Sequence, residues 1–189
     1  FVDKIDPQSG TSLEIGSSGD TITIPSGATI VNSGTQTGFG GANTPAFLAT
    51  MSAEQTVSHN TATKMTFNSE IFDTDSCYDS STNYRFTPTT AGKYQITFNS
   101  YVDGQGQGNL RILSLLLRKN GSTVLTVGND MGTGYENNGT WGLSGIVEFN
   151  GSSDYIEAFI SVYVQDSSTS VVGGNSTSRA LFQAFKLIT

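Results

Sequence analysis

The chain has very few of the residues that most catalytic and metal sites require. Its 189 residues include one cysteine, Cys77, and one histidine, His59. A lone cysteine cannot form a disulfide within one chain. One histidine with one cysteine supports neither a zinc site nor a Cys-His or Ser-His-Asp catalytic site. Carboxylate pairs, which a glycosidase would use, arise by chance among sixteen scattered acidic residues. We therefore predict that the protein is not an enzyme and needs no cofactor.

Basic residues and long apolar runs are scarce as well. Nine Lys and Arg residues stand against sixteen Asp and Glu residues, so the net charge is −7. Nucleic-acid binding needs clustered basic residues that neutralise phosphates, and this composition predicts no nucleic-acid partner. No apolar run approaches the ~20 residues that cross a bilayer, so membrane insertion is not predicted either.

Glycine, serine, threonine and asparagine are abundant, which favours short strands joined by tight turns. Apolar and polar residues alternate over residues 94–99, so one face of that strand packs and the other is wet. Asn120–Gly121 and Asn150–Gly151 are hairpin signals, and Asn138–Gly139 is a third turn signal in a glycine-rich loop. No segment has a helical period. The sequence predicts an all-β head with strands near residues 94–102, 110–118, 122–127, 143–149, 155–164 and 180–188.

Residues 1–43 differ from the rest and carry a loose nine-residue repeat. One position of the repeat holds Leu13, Ile22 and Val31, and another holds Gly10, Gly19 and Ala28. Each unit predicts a short strand followed by a polar turn. Strands this small bury their apolar face only in stacked repeats or between chains. We interpret residues 1–43 as a prism-like β-repeat stalk and hinge, with a flexible Gly/Ser linker as the alternative. Residues 44–189 are then the head domain.

The order of landmarks from Pro45 onward resembles one known family. A short apolar strand, PAFLATM, is followed by KMTFNSEIFDTDSCYDSSTNYRFTPTTAGKYQITFNSYV, by LSLLLRKNGSTVL, by WGLSGIVEFNGSSDYIEAFI and by a closing SRALFQAFKLI. The most specific part holds Tyr78-Asp79, Tyr84-Arg85-Phe86, Pro88, Ala91-Gly92, Tyr94 and Phe98. This order is similar to that of the globular head of complement component C1q, within the TNF-like jelly-roll superfamily. The resemblance covers roughly three quarters of the chain and implies a trimeric, two-sheet antiparallel jelly roll that is not an enzyme.

Two predicted strands are apolar on both faces. In residues 110–117 and 155–164, aliphatic and aromatic residues occupy both faces of the strand. A two-sheet sandwich, however, buries only the face that meets the opposite sheet. Burial against neighbouring subunits explains the second face, and packing under long loops is the alternative. The strand pattern and the resemblance both favour a homotrimer. We predict that its interface includes Leu113, Leu115, Leu117, Tyr155, Phe159, Tyr163, Phe182 and Phe185.

The loop 128–141 is the leading candidate for recognition of a partner. It combines the only tryptophan with a tyrosine, carboxylates and amides on a glycine-rich backbone. Aromatic rings stack on sugars, and carboxylates and amides bond to hydroxyl groups. The predicted binding residues are Asp130, Tyr135, Glu136, Asn137 and Trp141. For Trp141 taken alone, packing inside the sandwich is the favoured interpretation. A second loop, 166–178, lacks aromatic residues and is either a tip or an interface.

One acidic loop places three carboxylates, those of Asp73, Asp75 and Asp79, at short spacing. Oxygen ligands at alternate positions suit calcium. The glycine and the terminal glutamate of the helical calcium loop are missing, however. A solvated acidic loop is the favoured interpretation, with calcium as the only metal that the sequence suggests.

Three functions fit these features. The first is a bacteriophage virion structural protein, a trimeric fibre or appendage whose jelly-roll knob attaches to the host surface. The repeats that lead through GFGGANTPAF into the head resemble the C-terminal parts of structural proteins of marine phages. The second is a capsid decoration or head-fibre protein, and the third is a secreted or surface adhesin module of a bacterium.

The favoured function sets the expected partners and surroundings. We expect a location in the virion and contacts with other virion proteins through the N-terminal region. The external partner is expected to be a glycan or a protein of the bacterial surface. Because Phe1 follows neither an initiator methionine nor a signal-peptide pattern, we also expect the chain to be part of a longer protein.

Overall fold

The structure is a computed structural model that describes residues 10–34, 43–105, 109–132, 136–173 and 180–188. The chain divides into two units, residues 1–39 and residues 40–189. The sequence places the boundary between stalk and head close to this division, after residue 43. The larger unit is the head.

Thirteen strands form the described part of the head. They are β1 (Ala46–Thr50), β2 (Gln55–Val57), β3 (Thr63–Lys64), β4 (Ser69–Asp73), β5 (Tyr78–Asp79), β6 (Arg85–Phe86), β7 (Gly92–Asp103), β8 (Leu110–Lys119), β9 (Ser122–Asp130), β10 (Asn138–Phe149), β11 (Ile156–Val164), β12 (Ser170–Gly173) and β13 (Ala180–Lys186). The described residues contain no helix, and therefore none that could cross a membrane. The all-β prediction is confirmed.

The strands form two antiparallel sheets that enclose the core. Sheet I has the order β4-β1-β13-β7-β10, and β12 with β2 continues along β7 beyond the end of β13. Sheet II has the order β5-β6-β11-β8-β9, with β3 also beside β11. From β7 onward the chain passes from sheet I to the β8–β9 pair in sheet II, back to β10, across to β11 and back to β12 and β13. The predicted two-sheet architecture is confirmed.

The core between the sheets is rich in aromatic rings. On β7 the alternate residues Tyr94, Ile96 and Phe98 have no exposed surface, as their spacing predicts. Phe47 of sheet I stacks on Tyr78 of sheet II with ring centroids 4.4 Å apart. Each aromatic side chain buries about 150–250 Å², so such contacts supply much of the apolar stabilisation between the sheets.

The predicted interface set is wrong for four residues. Leu113, Leu115 and Leu117 of β8 and Phe182 of β13 are buried inside a single chain, with at most 1% of each residue exposed. They face the opposite sheet and belong to its core. The other face of β8, at alternate positions of residues 112–118, is only half-buried. Where both faces of a strand are apolar, alternation alone does not identify the face that meets the second sheet.

The three Asn-Gly pairs have three different roles. Asn120 and Gly121 have positive φ angles of 51° and 82° and join the paired strands β8 and β9, as a type I′ hairpin requires. Asn150–Gly151 instead connects β10 to β11, which lie in different sheets, so the hairpin predicted there is wrong. Asn138–Gly139 lies inside β10 and not in a loop. The dipeptide marks the turn at residue 121 because only there do its flanking strands pair.

We expect Gly151→Ala to destabilise the head much more than Gly121→Ala. A Cβ at residue 151 would lie 2.2 Å from the backbone nitrogen of Ala91, whereas a Cβ at residue 121 would meet nothing within 4 Å. Both glycines have positive φ, so alanine costs about 1–2 kcal/mol at either site. Only the substitution at 151 adds a clash with backbone. Urea unfolding of the two variants measures the difference, and equal losses would contradict the tight approach at residue 151.

The described part of the N-terminal unit, residues 10–34, contains no strand. Its aliphatic side chains, including those of Leu13, Ile15, Ile22 and Ile24, are exposed in the single chain. Within residues 10–34, the strands predicted for the stalk therefore do not form in one copy of the chain. This result agrees with the expectation that such short repeats bury their apolar residues only between chains.

The turns of residues 10–34 also correct the repeat. Two four-residue turns are closed by backbone hydrogen bonds. The Asp20 N–H donates to the Ser17 carbonyl oxygen at 2.9 Å, and the Ala28 N–H donates to the Pro25 carbonyl oxygen at 3.1 Å. Gly19 and Gly27 occupy the third position of these turns with φ angles of 96° and 85°. Gly27, and not Ala28, is thus equivalent to Gly19. The third repeat begins one residue earlier than predicted, and Ile30 replaces Val31 as its first apolar residue.

Candidate functional site

Connections between strands meet at one end of the head around Asn109. The Nδ2 atom of this buried side chain donates to the Gly104 carbonyl oxygen at 2.8 Å and to Asp166 Oδ1 at 3.0 Å. Its Oδ1 atom accepts the Asp166 backbone N–H at 3.2 Å. We call the described residues of 104–109, 130–137 and 165–169 the loop end. Pro45, where the chain enters the head, lies at the opposite end, beside the last residues of β13.

Three of the five predicted binding residues are exposed at the loop end. Asp130 ends β9, and Glu136 and Asn137 precede β10. The backbone of Glu136 exchanges hydrogen bonds of 3.0 and 3.3 Å with Leu110, which fixes its position. Tyr135 lies outside the described residues. The loop end thus presents carboxylate and amide groups on a backbone that is already held in place.

Trp141 is not part of this exposed group. Residues 128–130 belong to β9 and residues 138–141 to β10, so the connection is shorter than the predicted loop 128–141. The ring of Trp141 packs against the margin of the core. It covers Gly139, where an added Cβ would come within 2.5 Å of the ring. The structure therefore favours packing for Trp141.

The carboxylates of the acidic loop accept hydrogen bonds from nearby residues of the same segment. Asp73 Oδ2 accepts the Tyr78 N–H at 2.7 Å, and Asp75 Oδ2 accepts the Thr74 hydroxyl at 2.6 Å. Asp79 accepts five hydrogen bonds from residues 81–83. Among the described residues no group of three or more His, Cys, Asp and Glu side chains could hold a metal. Calcium binding at this loop, the alternative to a solvated acidic loop, stays untested.

We expect Asp79→Ala to lower stability at neutral pH, with a loss that disappears in acid. The backbone N–H of Thr82, with further donors from residues 81 and 83, holds the pKa of the Asp79 carboxyl far below its ordinary value of 3.8. A depressed folded-state pKa stabilises the fold above about pH 4, and this stabilisation is lost as the pH falls toward the folded pKa. The loss at pH 7 should be about 1 kcal/mol, as for a side-chain cap.

Thermal unfolding of wild type, Asp79→Ala and the control Asp75→Ala between pH 7 and pH 2 measures this effect. Asp75 is a matched control because its carboxylate accepts a hydrogen bond only from its neighbour Thr74. A difference between wild type and Asp79→Ala that persists unchanged at pH 2 would rule out the titration of Asp79 as its origin.

One side of the sandwich is open. Among the described strands, β9 pairs only with β8 and β10 pairs only with β7, so each strand leaves one edge free. Val124 and Val127 of β9 are 43% and 41% exposed, and Ile146 of β10 is 57% exposed. We call strands β9 and β10, with these residues, the open edge. Long apolar edge strands with free N–H and C=O groups are natural contact sites for another chain.

The outer face of sheet I is a second uncovered apolar surface. Phe72 of β4 is 46% exposed and Phe185 of β13 is 38% exposed. Leu48 of β1 lies directly opposite Phe72, and Leu181 on β13 continues the patch. We call this patch the sheet I face. The predicted interface residue Phe185 is therefore available for contact with another subunit.

The outer face of sheet II is different, because its aromatic rings are covered by polar groups of the same chain. These pairs are Arg85 over Tyr155 at 4.4 Å, Arg118 over Phe159 at 4.2 Å, and His59 beside Tyr163 at 4.4 Å. Guanidinium groups favour such stacked positions. This cover explains how β11 carries a second row of aromatic residues without a neighbouring subunit. A role of these rings at an interface stays a prediction.

The single cysteine and histidine both have structural contacts. Cys77 is buried, with its Sγ atom 3.6 Å from the Thr89 hydroxyl. His59 accepts the Val164 N–H on Nδ1 at 3.3 Å, which ties the segment before β3 to the end of β11. Neither side chain is placed as a nucleophile or general base next to the other.

Three known structures align with most of this chain and agree on its fold. The globular domain of zebrafish complement 1qA is 16% identical, has a TM-score of 0.50, and aligns over 76% of this chain and 97% of its own. Murine APRIL is 9% identical with a TM-score of 0.54 over 75% of this chain and 98% of its own. The vertex protein P5 of phage PRD1 is 14% identical with a TM-score of 0.52 over 78% of this chain and 99% of its own. No protein-family model and no curated protein sequence matches the chain.

The head has the C1q/TNF-like jelly-roll fold. The resemblance seen in the sequence is thereby confirmed at the level of fold. Each of these three structures is covered almost completely, whereas about a quarter of this chain has no counterpart in them.

The open edge and most of the sheet I face were missed by sequence reasoning. Ile146 is the one large apolar residue among the outward positions of β10, which otherwise carry asparagine, threonine, glycine, serine and glutamate. An isolated apolar residue on a polar face is a usable signal for a contact, although a weak one. Leu48 and Phe72 offered no such signal, because only the pairing of β1 with β4 brings them together.

Proposed function

We propose that the protein is a bacteriophage virion structural protein, a homotrimeric fibre or appendage whose jelly-roll head attaches to the host surface. The observation that carries this proposal is the pair of bare apolar surfaces, the open edge and the sheet I face, on a head with this fold. A single soluble copy would leave both in water. The similarity of fold to a phage vertex protein supports the setting in a virion.

A closed trimer uses these two surfaces together. In a cyclic trimer each interface is heterologous, so one patch of a subunit meets a different patch of the next. The free edge along β9 and β10 of one copy, with Val124 and Val127, is one such patch. The sheet I face, with Phe72 and Phe185, is the other. Three equal contacts then close the ring and cover both patches.

The exposed residues 10–34 fit the same assembly. Glycines with positive φ recur at Gly10, Gly19 and Gly27, and each is followed three residues later by Leu13, Ile22 or Ile30. Three copies of this segment side by side bury those aliphatic residues against one another, as a stalk requires. The N-terminal region is then the part that contacts other virion proteins.

Attachment is assigned to the loop end. It lies at the opposite end of the head from Pro45, where the chain enters, and it presents Asp130, Glu136 and Asn137 to solvent. A bacterial surface glycan or protein is the proposed partner. In a trimer each weak site occurs three times, so modest affinity becomes useful avidity when the sites engage together.

Glu136→Ala should weaken attachment of particles to host cells by about tenfold, the loss expected for one hydrogen bond to a charged group. Asp75→Ala is the matched control, since Asp75 is also exposed but lies near Pro45, at the other end of the head. Cell-adsorption rates measure attachment, and thermal unfolding confirms that both variants fold. Equal adsorption by the two variants would remove the loop end from the attachment surface.

A capsid decoration or vertex role is the second candidate, and the similarity to a PRD1 vertex protein favours it. In that role the same trimer sits on the shell, and the loop end contacts another capsid protein. Mass spectrometry of purified particles tests both candidates at once, because either requires the chain to be present in the particle in multiples of three. Its absence would exclude both.

A further inference from the structure

Asn109 is the only buried asparagine among the described residues, with 7% of its surface exposed. Removing an amide from water costs free energy unless its donors and its acceptor find partners. The side chain of Asn109 has partners for both its nitrogen and its oxygen. Its contribution to the fold is therefore made through hydrogen bonds and not through apolar packing.

The bonds of Asn109 join the β7–β8 connection to the β11–β12 connection. Its Nδ2 atom bonds to the Gly104 carbonyl oxygen at 2.8 Å and to Asp166 Oδ1 at 3.0 Å. Its Oδ1 atom accepts the Asp166 N–H at 3.2 Å, and its carbonyl oxygen accepts the Gln165 N–H at 2.9 Å. One buried residue thus sets the spacing of two connections that are distant in sequence.

The β9–β10 connection is bonded to residues on either side of this junction. The Gly104 N–H donates to the Asn137 carbonyl oxygen at 3.0 Å. The Leu110 N–H donates to the Glu136 carbonyl oxygen, also at 3.0 Å. Gly104 lies close to Leu110, since a Cβ at residue 104 would be 3.0 Å from the Leu110 nitrogen. A shift of Gly104 would therefore move the backbone that carries Glu136 and Asn137.

We propose that Asn109 is the positioning residue of the attachment surface and holds Glu136 and Asn137 in the arrangement that the partner meets. The proposal rests on the host-attachment function proposed above and deepens it, because it makes the β11–β12 connection part of the same ordered surface. A surface that is ordered before binding loses less conformational entropy when its partner binds. Asn109 is buried and acts through the two exposed residues.

Asparagine suits this position because a short side chain carries both a donor and an acceptor. Aspartate has nearly the same shape, but its ionised form has no donor. Asn109→Asp would place a carboxylate oxygen against the Gly104 carbonyl oxygen and the Asp166 carboxylate, at the 2.8 and 3.0 Å that hydrogen bonds now span. Acceptors at these distances repel each other, so the junction should open with little change in side-chain volume.

The Asn109→Asp variant should recover in mild acid. Two carboxyl groups at hydrogen-bond distance do not both ionise readily, so one pKa of the pair lies well above that of an isolated aspartate. Once protonated, the new carboxyl has an O–H that donates to the Asp166 carboxylate. In the wild type the Ser168 side chain, the Ser168 N–H and the Asn109 amide hold the pKa of the Asp166 carboxyl below its usual range, so it stays charged from pH 8 to pH 5.

Hydrogen exchange of the purified full chain measures this positioning directly. At pH 8 the N–H groups of Gly104 and Glu136 should exchange about tenfold faster in Asn109→Asp than in the wild type, because the bonds that protect them open more often. At pH 5 the ratio should return toward one. Variant and wild type are compared at the same pH, because both retain the other charged groups near the junction, which are Asp103, Arg111, Asp130 and Glu136.

Adsorption of particles to host cells should follow the same pattern, with a loss of about tenfold at pH 8 that is recovered at pH 5. Asn83→Asp is the matched control. Asn83 Nδ2 also donates to a carboxylate, that of Asp79 at 2.7 Å, but the residue lies between β5 and β6. This control should leave the exchange of Gly104 and the adsorption unchanged.

A second variant tests the junction without relying on Asn109→Asp alone. Asn109→Asp combined with Asp166→Asn exchanges the amide and the carboxylate, so the amide at 166 can donate to the carboxylate at 109. The double variant should regain part of the loss at pH 8 and should lose the recovery between pH 8 and pH 5. Light scattering of each variant shows whether assembly is intact.

The outcomes separate this role from the attachment function. Unchanged exchange at Gly104 and Glu136 in Asn109→Asp overturns the positioning role. Normal adsorption by Asn109→Asp, when Glu136→Ala adsorbs weakly, overturns it alone, whereas normal adsorption by both variants also removes the loop end from attachment. Equal losses in Asn83→Asp would show general destabilisation and would overturn it as well. Faster exchange with weaker adsorption, both reversed at pH 5, supports the role.

Discussion

Replacing Ile146 with lysine is expected to convert the trimer into monomers. Ile146 is 57% exposed in the single chain and lies in one cross-strand row with Gln95 and Phe185. Its side chain contributes little to the fold of one copy, so the variant should fold. In the trimer the lysine would place an unpaired charge in an apolar interface, which costs several kcal/mol. Light scattering should show a mass close to the 20.0 kDa of one chain.

The control for this variant is Thr82→Lys, which adds the same charge beside β5, at the far edge of sheet II from the open edge. It should leave the mass at about 60 kDa, three times that of one chain. A trimer that survives Ile146→Lys would exclude the open edge as the interface and would direct attention to the rings on sheet II.

The second large effect is expected from Phe182→Ala, which should destabilise the head by about 3–5 kcal/mol. Phe182 has no exposed surface, and its ring lies 5.0 Å from Phe47 and 5.6 Å from Phe67. Alanine would leave a cavity between the two sheets. Phe185→Ala, three residues later on the same strand, removes the same ring from a surface that is 38% exposed. It should affect the assembly and not the core.

Denaturation at several protein concentrations separates the two variants. Loss of core packing in Phe182→Ala lowers the midpoint at every concentration. Loss of an interface contact in Phe185→Ala makes the midpoint more dependent on concentration, because subunit binding stabilises the fold by mass action. The reverse pattern would mean that the assignment of these two residues to core and interface is mistaken.

Much of the fold could be predicted because local sequence and global structure agree. In β7 the alternation of residues 94–99 fixes both the strand and its buried face, and the structure has both. Asn120–Gly121 fixes a hairpin because the strands on either side are also partners. Asn150–Gly151 carries the same local signal, but the next strand lies in the other sheet. That choice depends on the whole topology, which no short segment encodes.

The assignment of faces failed where apolar residues occur on both sides of a strand. Leu113, Leu115 and Leu117 face the core, and the second side of β8 is sheltered by long side chains such as Arg118 and by the ring of Phe159. An arginine stem can cover apolar surface while its charged head stays in water. The periodicity of apolar residues in the sequence does not show which apolar side chains will be covered by the stem of a neighbouring arginine.

The candidate site could be predicted only in part. Glu136 and Asn137 are exposed between β9 and β10, whereas Trp141 packs on Gly139 two residues before it on the same strand. The open edge and the sheet I face arise from strand order, and Ile146, Leu48 and Phe72 come from distant segments. Contacts of this kind become visible only when the pairing of strands is known.

Electron cryomicroscopy of intact particles that contain this chain tests the central proposal most directly. We predict a projecting density with threefold symmetry, in which the open edge of each head, marked by Ile146, contacts the sheet I face of the next. The loop end, marked by Glu136, should point away from the particle. A head that occurs as a monomer, or particles without this chain, would contradict the account.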